Sequence, residues 1–528
     1  MTQRTRVVVV GGGHNGLAAA AYLAQAGIDV VVLEALGDVG GAAVSAQVFP
    51  GVNARLSRYS YLVSLLPRQI ISELGLSLDL RSRSVASYTP VVRGGTDTGL
   101  LVERTPGGVT EESFRAVTGG PRDYSSWQDF YDRMERAAGV IAPTMLSPLL
   151  TSQDMAERVI AAAGAQTWAE IAQVPMGETL MSAFGDDDVR GVIATDGLIG
   201  TYASVFDQSL LANRCLLYHL IGDGTGEWKV PVGGMGAVST ALRLAAESAG
   251  ARIVTNAQAL KVETDGAQAL VTYRDDHDSE QCIAAEWVLS NAAPDTLERL
   301  LGREPSTSPQ GSQVKVNMVL TRLPRLRSGI DPRIAFAGTF HISESLAEVE
   351  DAFAATVRGE FPEPLPAEIY CHTLTDSSIL SGDLIDAGWH TMTLFGLHTP
   401  AHLFDSESSQ RQRQQVLDSY LDGLDRFLAE PIRECLAIDA NGEMCAEART
   451  PLDIEASVGL PGGHIFHRDL RWPWSPSGNA DPDSVPGAWG VETQDPNVLV
   501  CGAGARRGGG VSAVPGRAAA MKVISTQG

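Results

Sequence analysis

The feature that constrains this chain most is a glycine-rich turn near its beginning. Residues 6–10 (RVVVV) form an apolar, β-branched run that is long enough for a buried strand. Gly11, Gly13 and Gly16 follow with G-x-G-x-x-G spacing, then an alanine-rich helix and a second apolar run that ends at Glu34. The sequence therefore predicts a strand–helix–strand unit of an α/β fold.

The spacing of these residues indicates a dinucleotide site. Gly11 permits the tight turn, Gly13 lets backbone approach a pyrophosphate, and Gly16 clears space for the helix against the strand. The N–H groups at the helix start would face the phosphates. Glu34 is placed to accept hydrogen bonds from a ribose 2′-hydroxyl and disfavours a 2′-phosphate. The alternative is an ordinary βαβ unit whose glycines only make the turn.

Two further glycine clusters favour FAD over NAD. Gly40 and Gly41 follow shortly after Glu34, where a flavin nucleotide needs backbone to pass close to its pyrophosphate and ribityl chain. Near the C-terminus, residues 497–501 read as a strand, residues 508–510 are glycines, and a helix follows. If that helix points at the flavin pyrimidine edge, its N–H groups would stabilise negative charge on the reduced ring.

Chain length indicates more than one domain, because 528 residues exceed what one hydrophobic core usually supports. We predict an α/β protein with a discontinuous Rossmann-like FAD-binding domain of residues 1–85, 226–305 and 451–528. A mixed α+β substrate domain is inserted, as residues 86–225 and 306–450. The first insertion is predicted to be mainly helical, and the second to be a sheet with a covering helix.

Composition limits the partners. The formal charge of −23 disfavours nucleic acid and anionic membrane surfaces. The six cysteines have neither C-x-x-C nor zinc spacing, so we expect reduced thiols and no metal site. No apolar stretch reaches spanning length, and we expect a cytoplasmic protein. Peripheral membrane contact and the oligomeric state are left open.

Several blocks, in order, resemble the phytoene-desaturase-like flavoproteins. This family has the FAD-binding amine-oxidase-type fold and includes carotenoid desaturases and ketolases. The nearest branch is the one named for a pyridine nucleotide-disulphide oxidoreductase domain. The blocks are GGGHNGL (11–17), VLEALGDVGGAAVS (32–45), FPG (49–51), SRYSYLVSLL (57–66), VPVGGMGAV (230–238), GLPGGHIFH (459–467) and CGAGARRGGGVSAVPGRAAA (501–520).

The resemblance implies non-covalent FAD. It places Val262 and Asn291 on the adenine side and the last glycines by the flavin ring. The implied cofactor residues are Gly11, Gly13, His14, Asn15, Gly16, Glu34, Ala35, Gly40, Gly41, Ala42, Ala43, Ser57, Val262, Asn291, Gly502, Ala503, Gly509, Gly510, Val511 and Ala513. Two residues depart from the family: Ala42 replaces an arginine, and Arg507 replaces a proline, which puts the local loop shape in question.

The function that follows is hydride removal from a largely apolar small molecule, at a C–C or C–N bond. The chain lacks a paired redox cysteine and a second complete dinucleotide motif, which argues against disulfide reduction. Because a second nucleotide site is missing, we expect oxygen or a quinone-like acceptor to reoxidise the flavin. His467, beside Arg468, is the candidate proton-transfer group, with a structural histidine as the alternative. Tyr59 and Tyr61 are candidates for the pocket wall. A non-catalytic binder resembling Rab GDP-dissociation inhibitors, or a flavin isomerase or hydroxylase, are the competing functions.

Overall fold

The computed structural model describes residues 3–305, 308–405, 407, 409–476 and 488–526. Its strands, in chain order, are β1 (Gln3–Val10), β2 (Val30–Leu33), β3 (Ser45–Gln47), β4 (Arg55–Ser57), β5 (Leu80–Arg81), β6 (Val85–Arg93), β7 (Thr96–Glu103), β8 (Val230–Pro231), β9 (Arg252–Val254), β10 (Gln258–Thr264), β11 (Ala269–Arg274), β12 (Glu280–Ser290), β13 (Val314–Leu320), β14 (Thr339–Ile342), β15 (Ala367–Tyr370), β16 (His390–Gly396), β17 (Ala446–Arg449) and β18 (Val498–Val500).

The α-helices of the same ranges are α1 (His14–Gln25), α2 (Arg68–Glu73), α3 (Gly108–Thr118), α4 (Arg122–Ile141), α5 (Ser152–Ala163), α6 (Ala165–Ala172), α7 (Met176–Ala183), α8 (Asp187–Asp196), α9 (Leu211–Ile221), α10 (Met235–Ser248), α11 (Pro294–Leu300), α12 (Pro332–Ala335), α13 (Leu346–Val357), α14 (Gly382–Asp386), α15 (Ser409–Asp425), α16 (Pro451–Val458) and α17 (Val514–Ser525).

The first sheet confirms the predicted α/β class. Its order is β10-β11-β12-β1-β2-β9, with β18 also paired to β12. Parallel pairing joins, in this order, β18, β12, β1, β2 and β9. On the other path from β12, the antiparallel strands β11 and β10 extend the sheet. The valines of β1 and β2 are buried because helices cover the sheet, as is usual for a parallel sheet.

Both ends of the described chain meet in this sheet. Strand β18 pairs with the last residues of β12, which itself pairs with β1. Helix α17 packs on α1 at very close range: a Cβ added at Gly516 would stand 2.0 Å from the Asn15 carbonyl oxygen. The segments between these ends therefore leave the sheet and return to it.

The second sheet has the order β17-β13-β16-β15-β14-β6-β7. Its pairs are antiparallel except for β14 with β6. Helix α15 lies against it, with Val416, Tyr420 and Leu424 in the same apolar cluster as the strands. Helix α15 corresponds to the covering helix that the sequence predicts.

Residues 86–225 are mainly helical, but the sequence analysis does not predict the hairpin at the start of this segment. The segment begins with the β6–β7 hairpin, which forms an edge of the second sheet. The turn uses Gly94 and Gly95, both at positive φ (56° and 80°), as a tight hairpin requires. Helices α3 to α9 follow and share a buried cluster that includes Phe114, Trp127 and Phe130.

The contact between α1 and α17 can be tested by Gly516→Ala. The new methyl group would overlap the Asn15 carbonyl, so we expect a loss of about 1–3 kcal/mol in the free energy of unfolding. Gly139→Ala is the matched control because Gly139 is also helical and a Cβ there meets nothing within 4 Å. This control should gain about 0.5–1 kcal/mol. Urea unfolding measures both, and equal effects of the two variants would contradict the close packing.

Candidate functional site

The carboxyl ends of four parallel strands meet at one edge of the first sheet. Strands β1, β2, β12 and β18 end there, and the next residues along the chain are Gly11, Glu34, Asn291 and Cys501. Ligands of open α/β sheets bind at this edge. The structure thus brings residues from both chain ends and the middle return to one place.

The two N-terminal glycine segments lie against each other. Gly13 and Gly40 form an isolated parallel bridge, and the Gly40 N–H donates to the Gly12 carbonyl at 2.9 Å. A Cβ at Gly16 would stand 2.2 Å from the Gly11 oxygen, and one at Gly41 would stand 3.4 Å from the Gly13 Cα. Side chains would fill this space, so the glycines create a backbone-lined cradle.

The start of α1 is buried and has no side-chain cap. Its first turn contains no acidic residue, and Gly13 at the N-cap position offers no side chain. The Asn15 side chain is buried, and within the described part of the chain neither its Oδ1 nor His14 Nε2 has a hydrogen-bond partner. Unpaired donors at a buried helix start are normally satisfied by a side chain, water or ligand. This arrangement suits a phosphate.

Glu34 stands beside the cradle with both carboxylate oxygens held by backbone. Oε2 accepts from the Gly12 N–H at 2.7 Å, and Oε1 accepts from the Leu36 N–H at 2.8 Å. Burial raises the pKa of Glu34, while these N–H donors favour its charged form. Each oxygen keeps capacity for a further hydroxyl donor. Ala35, the next residue, is exposed.

The side chains of Asn291 and Val262, which the resemblance places on the adenine side, both make contacts within the protein. The Asn291 amide donates to the Gly11 carbonyl at 3.2 Å, so it supports the phosphate-facing loop. The Val262 side chain packs between strands in an apolar cluster with Val271 and Ile283. The backbone beside Glu34 comes instead from Ala257, whose N–H donates to the Glu34 carbonyl at 2.7 Å.

The C-terminal glycine loop joins the same site. A Cβ at Gly502 would stand 2.6 Å from the Asn291 carbonyl oxygen, and the Gly510 backbone lies within hydrogen-bonding reach of His14. Gly509 and Gly510 have φ values of 91° and 59°. Ala503, Val511 and Ala513 are buried around the turn. Helix α17 then begins at Val514, whose N–H donates to the Ser512 hydroxyl at 3.3 Å.

Arg507, at which the chain departs from the family pattern, is buried and binds backbone carbonyl oxygens of two other segments. It has φ 64° and is 1% exposed. Its guanidinium donates to the carbonyl oxygens of Pro473 at 2.9 Å and Met145 at 3.4 Å, and to that of Ser147. Burial lowers the pKa of Arg507 to about 10. The arginine therefore fixes the loop to the helical layer.

The segment around Ala42 is fixed by serine hydroxyls. The Ala42 carbonyl accepts from Ser60 N–H at 3.2 Å and Ser60 Oγ at 2.7 Å, and the buried Ala43 carbonyl accepts from Ser239 Oγ. Ser57 Oγ accepts from the Met235 N–H at 3.0 Å, so it caps α10. These bonds place residues 42–43 next to the glycine cradle.

His467 is partly buried next to the C-terminal loop. It has φ 66°, its Nδ1 is buried without a hydrogen-bond partner among the described residues, and a Cβ at Gly504 would stand 3.4 Å from its Cβ. Burial lowers its pKa to about 3, and the neighbouring His14 adds to the shift. The pKa of His14 itself is lowered by burial to about 4. Both imidazoles are neutral at physiological pH and can accept a hydrogen bond.

A cavity of about 860 Å³ lies between the second sheet and the helical layer. Tyr61 lines it, in ring contact with Tyr370 and Phe395. Tyr59 is not among the lining residues, and its carbonyl oxygen accepts from Lys315 Nζ at 2.8 Å. The apolar part of the wall includes Val85, Ala86, Val102, Trp127, Ala138, Val192, Ile199, Leu220 and Trp228. That Tyr61 contacts a substrate stays a prediction.

The cavity also carries buried charged groups that the sequence analysis does not identify. Arg83, Asp196 and Glu368 line it, and Glu344 stands close behind. Burial raises the pKa of Asp196 and of Glu344, and raises that of Glu368 to about 8. These residues belong to separate strands and helices, so no local spacing indicates them.

Comparisons with known proteins agree with this geometry. The profile of the NAD(P)-binding Rossmann-like domain matches residues 9–67. Pyridine nucleotide-disulfide oxidoreductase domain-containing protein 2 of Mus musculus is 28% identical over 98% of this chain and 93% of its own length. The cyclohexylamine oxidase of Brevibacterium oxydans has a similar fold, with a TM-score of 0.55, 14% identity and 99% coverage of each chain. At this identity the likeness to the oxidase is one of fold.

The family is shown by a more similar relative. The Mycobacterium tuberculosis protein Rv0897c is 44% identical over 98% of this chain and 97% of its own length. The chain therefore belongs to the same family as this mycobacterial protein.

Two further expectations concern the cysteines and membrane spans. All six cysteines are free thiols, and five are buried. Among the described helices, none combines the length and the apolar character that crossing a bilayer requires.

The burial of His467 predicts an acid-dependent loss of stability. The pKa of His467 is depressed in the folded state. The contribution of its neutral ring to the free energy of unfolding is therefore complete above the unfolded-state pKa near 6.5, and it is lost as pH falls toward about 3. The slope is about 1.4 kcal/mol per pH unit for one such group. Asparagine tolerates the positive φ at this position. His467→Asn should therefore lose less unfolding free energy than wild type between pH 6.5 and 4.5. Urea unfolding at each pH measures it.

The exposed His277 supplies the control, since His277→Asn should leave the wild-type slope unchanged. Parallel pH curves for wild type and His467→Asn would show that His467 titrates normally in the folded protein.

Proposed function

We propose that the chain is an FAD-dependent dehydrogenase or oxidase that removes a hydride from a small molecule. The observation that carries this proposal is the convergence of two buried helix starts with Glu34 at one sheet edge. A single dinucleotide extended from the first sheet toward the C-terminal loop would satisfy all three features.

The residues divide along the length of the proposed cofactor. Glu34 would accept hydrogen bonds from the adenosine ribose, and the backbone of residues 11–16 and 40–43 would hold the pyrophosphate. Glycines 509 and 510 and the start of α17 would face the flavin ring, where N–H groups stabilise a developing negative charge. When bound, the flavin supplies hydride acceptance, and the protein supplies position and the exclusion of water.

The proposed substrate binds in the cavity that Tyr61 lines. Its aromatic and aliphatic wall fits the predicted apolar body, and the buried charges at Arg83 and Glu368 fit a polar group on the same molecule. We therefore keep oxidation at a C–C or C–N bond, and oxygen or a quinone-like acceptor for reoxidation. The neutral His467 and His14 would accept hydrogen bonds at the ring. The free thiols favour a reducing, cytoplasmic location.

Glu34→Gln tests the cofactor assignment. The purified wild-type protein should be yellow, and the variant should bind added FAD roughly 10–150-fold more weakly, because charge-assisted hydrogen bonds contribute about 1.5–3 kcal/mol. Glu286→Gln is the matched control, since Glu286 is half exposed in a surface ion pair with Arg6. Quenching of FAD fluorescence measures the dissociation constants, and melting of the flavin-free proteins shows whether folding is intact.

Enzyme and binder are distinguished by the wild-type protein alone. An anaerobic screen of small amines and alkenes should bleach the flavin, and admission of oxygen or a quinone should restore its colour. A folded protein that is colourless and takes up no FAD would overturn the proposal in favour of a non-catalytic binder. Flavin that is bound but never bleached would favour an isomerase.

A further inference from the structure

We propose that His341, Glu344 and Glu368 form a binding site for one divalent transition-metal cation at the wall of the cavity. This site is separate from the flavin cradle and does not depend on it. His341 lies in β14, Glu344 follows that strand, and Glu368 lies in the neighbouring β15. The sequence predicts no metal site because these ligands have no recognisable spacing.

The geometry of the three side chains fits one ion. Each residue offers a ligand atom, and all three atoms lie within 4.8 Å of one another. His341 Nε2 and Glu368 Oε1 are 4.0 Å apart. Two ligand atoms of a tetrahedral ion are about 3.3–3.6 Å apart when each bond is about 2.0–2.2 Å long, so these two atoms would move together by about half an ångström. Small side-chain movements would complete the coordination.

Outer partners orient two of the ligands. Thr89 Oγ1 is 2.8 Å from His341 Nδ1, so the Nδ1–H can donate to Thr89 and leave the Nε2 lone pair toward the cluster. The Tyr370 hydroxyl donates to Glu368 Oε2, which leaves Oε1 toward His341. A lone pair and a carboxylate oxygen that face each other repel unless a proton or a cation lies between them. Fixed tautomers and hydrogen-bonded carboxylates are typical of metal sites.

Glu344 gives the independent observation. It is 2% exposed, and neither of its carboxylate oxygens has a hydrogen-bond partner in the described part of the chain. The Thr195 hydroxyl faces Glu344 outside ordinary hydrogen-bond geometry, and it lowers the pKa of this carboxyl group against the larger effect of burial. A buried carboxyl group so weakly partnered is costly. Its oxygens therefore keep capacity for a further partner, which the proposed cation would supply.

The charges around the cluster are mainly negative. Glu344, Glu368 and Asp196 would carry three negative charges when ionised, Glu348 nearby would add a fourth, and Arg83 supplies one positive charge. The first three carboxylates and Arg83 keep two negative charges between them, and the neutral His341 adds none. Either two protons or one divalent cation can balance them. An imidazole with carboxylates suits Zn²⁺, Mn²⁺ or Fe²⁺ better than the all-oxygen shells of Ca²⁺ and Mg²⁺.

The position gives the site a role in the cavity. His341 and Glu368 line it, whereas Glu344 lies behind them. Three protein ligands leave at least one coordination position open. That position would face the cavity and could bind an anionic or neutral oxygen or nitrogen of a ligand.

The test uses the full-length protein, purified without chelator and analysed separately for metal and for flavin. We expect about one equivalent of a divalent metal, lost on dialysis against EDTA and restored by Zn²⁺ or Mn²⁺ in calorimetric titration. His341→Gln and Glu344→Gln should each weaken binding at least tenfold. The exposed pair His277→Gln and Glu263→Gln are the controls and should bind as wild type does.

Melting temperature gives a second readout. Without metal, Glu344→Gln should melt at or above the temperature of wild type, because it removes an unbalanced buried carboxyl group. With saturating Zn²⁺ or Mn²⁺, wild type should melt higher than the variant. This reversal requires a cation at Glu344, and a merely structural role would not produce it.

Three results would overturn the site. The first is metal-free wild type that neither Zn²⁺ nor Mn²⁺ stabilises, which would mean that protons balance the carboxyl groups. The second is binding that is unchanged in both ligand variants. The third is that an alkylammonium ion stabilises the wild type whereas metals do not, and that Glu344→Gln abolishes this stabilisation. Because flavin content is measured on the same samples, none of these results bears on FAD binding.

Discussion

The close approach of two helix starts is the constraint on which the structure depends. Gly516 allows α17 to contact the Asn15 carbonyl, and Gly16 allows α1 to contact the Gly11 carbonyl. A side chain at either position would push the backbones apart. These two contacts bring the N- and C-terminal segments into the first sheet, which β9 to β12 also join, and other segments of the chain form the second sheet and the helical layer.

The first sheet was readable from the sequence because its signals are local. A run of valines, a glycine turn and an acid specify β1, α1, β2 and Glu34 without reference to distant residues. The β6–β7 hairpin was missed although Gly94 and Gly95 mark its turn. The stretch that follows the hairpin is much longer and has helical periodicity. The alternating pattern of a nine-residue strand is therefore a weak signal within the whole segment.

The candidate site was readable only in part, for the same reason. Glycines reveal where backbone must come close, so residues 11–16, 40–41 and 509–510 could be found from their type alone. Side chains whose role depends on distant partners could not. Asn291 supports the Gly11 loop, Val262 packs between strands, and Arg507 ties three carbonyl oxygens. Each of these outcomes is set by which element lies opposite in space.

The buried charges of the cavity follow from how the second sheet is used. Strands β14 and β15 are central and covered on both sides, where apolar side chains would contribute more to stability than carboxyl groups do. His341 and Glu368 are nevertheless placed there, each with a neighbouring hydroxyl that fixes its orientation. An arrangement that costs folding free energy and is held this firmly implies binding of a positive charge. The cavity therefore has two distinct regions, an apolar wall by Tyr61 and Trp127 and a cation-binding wall by Glu368.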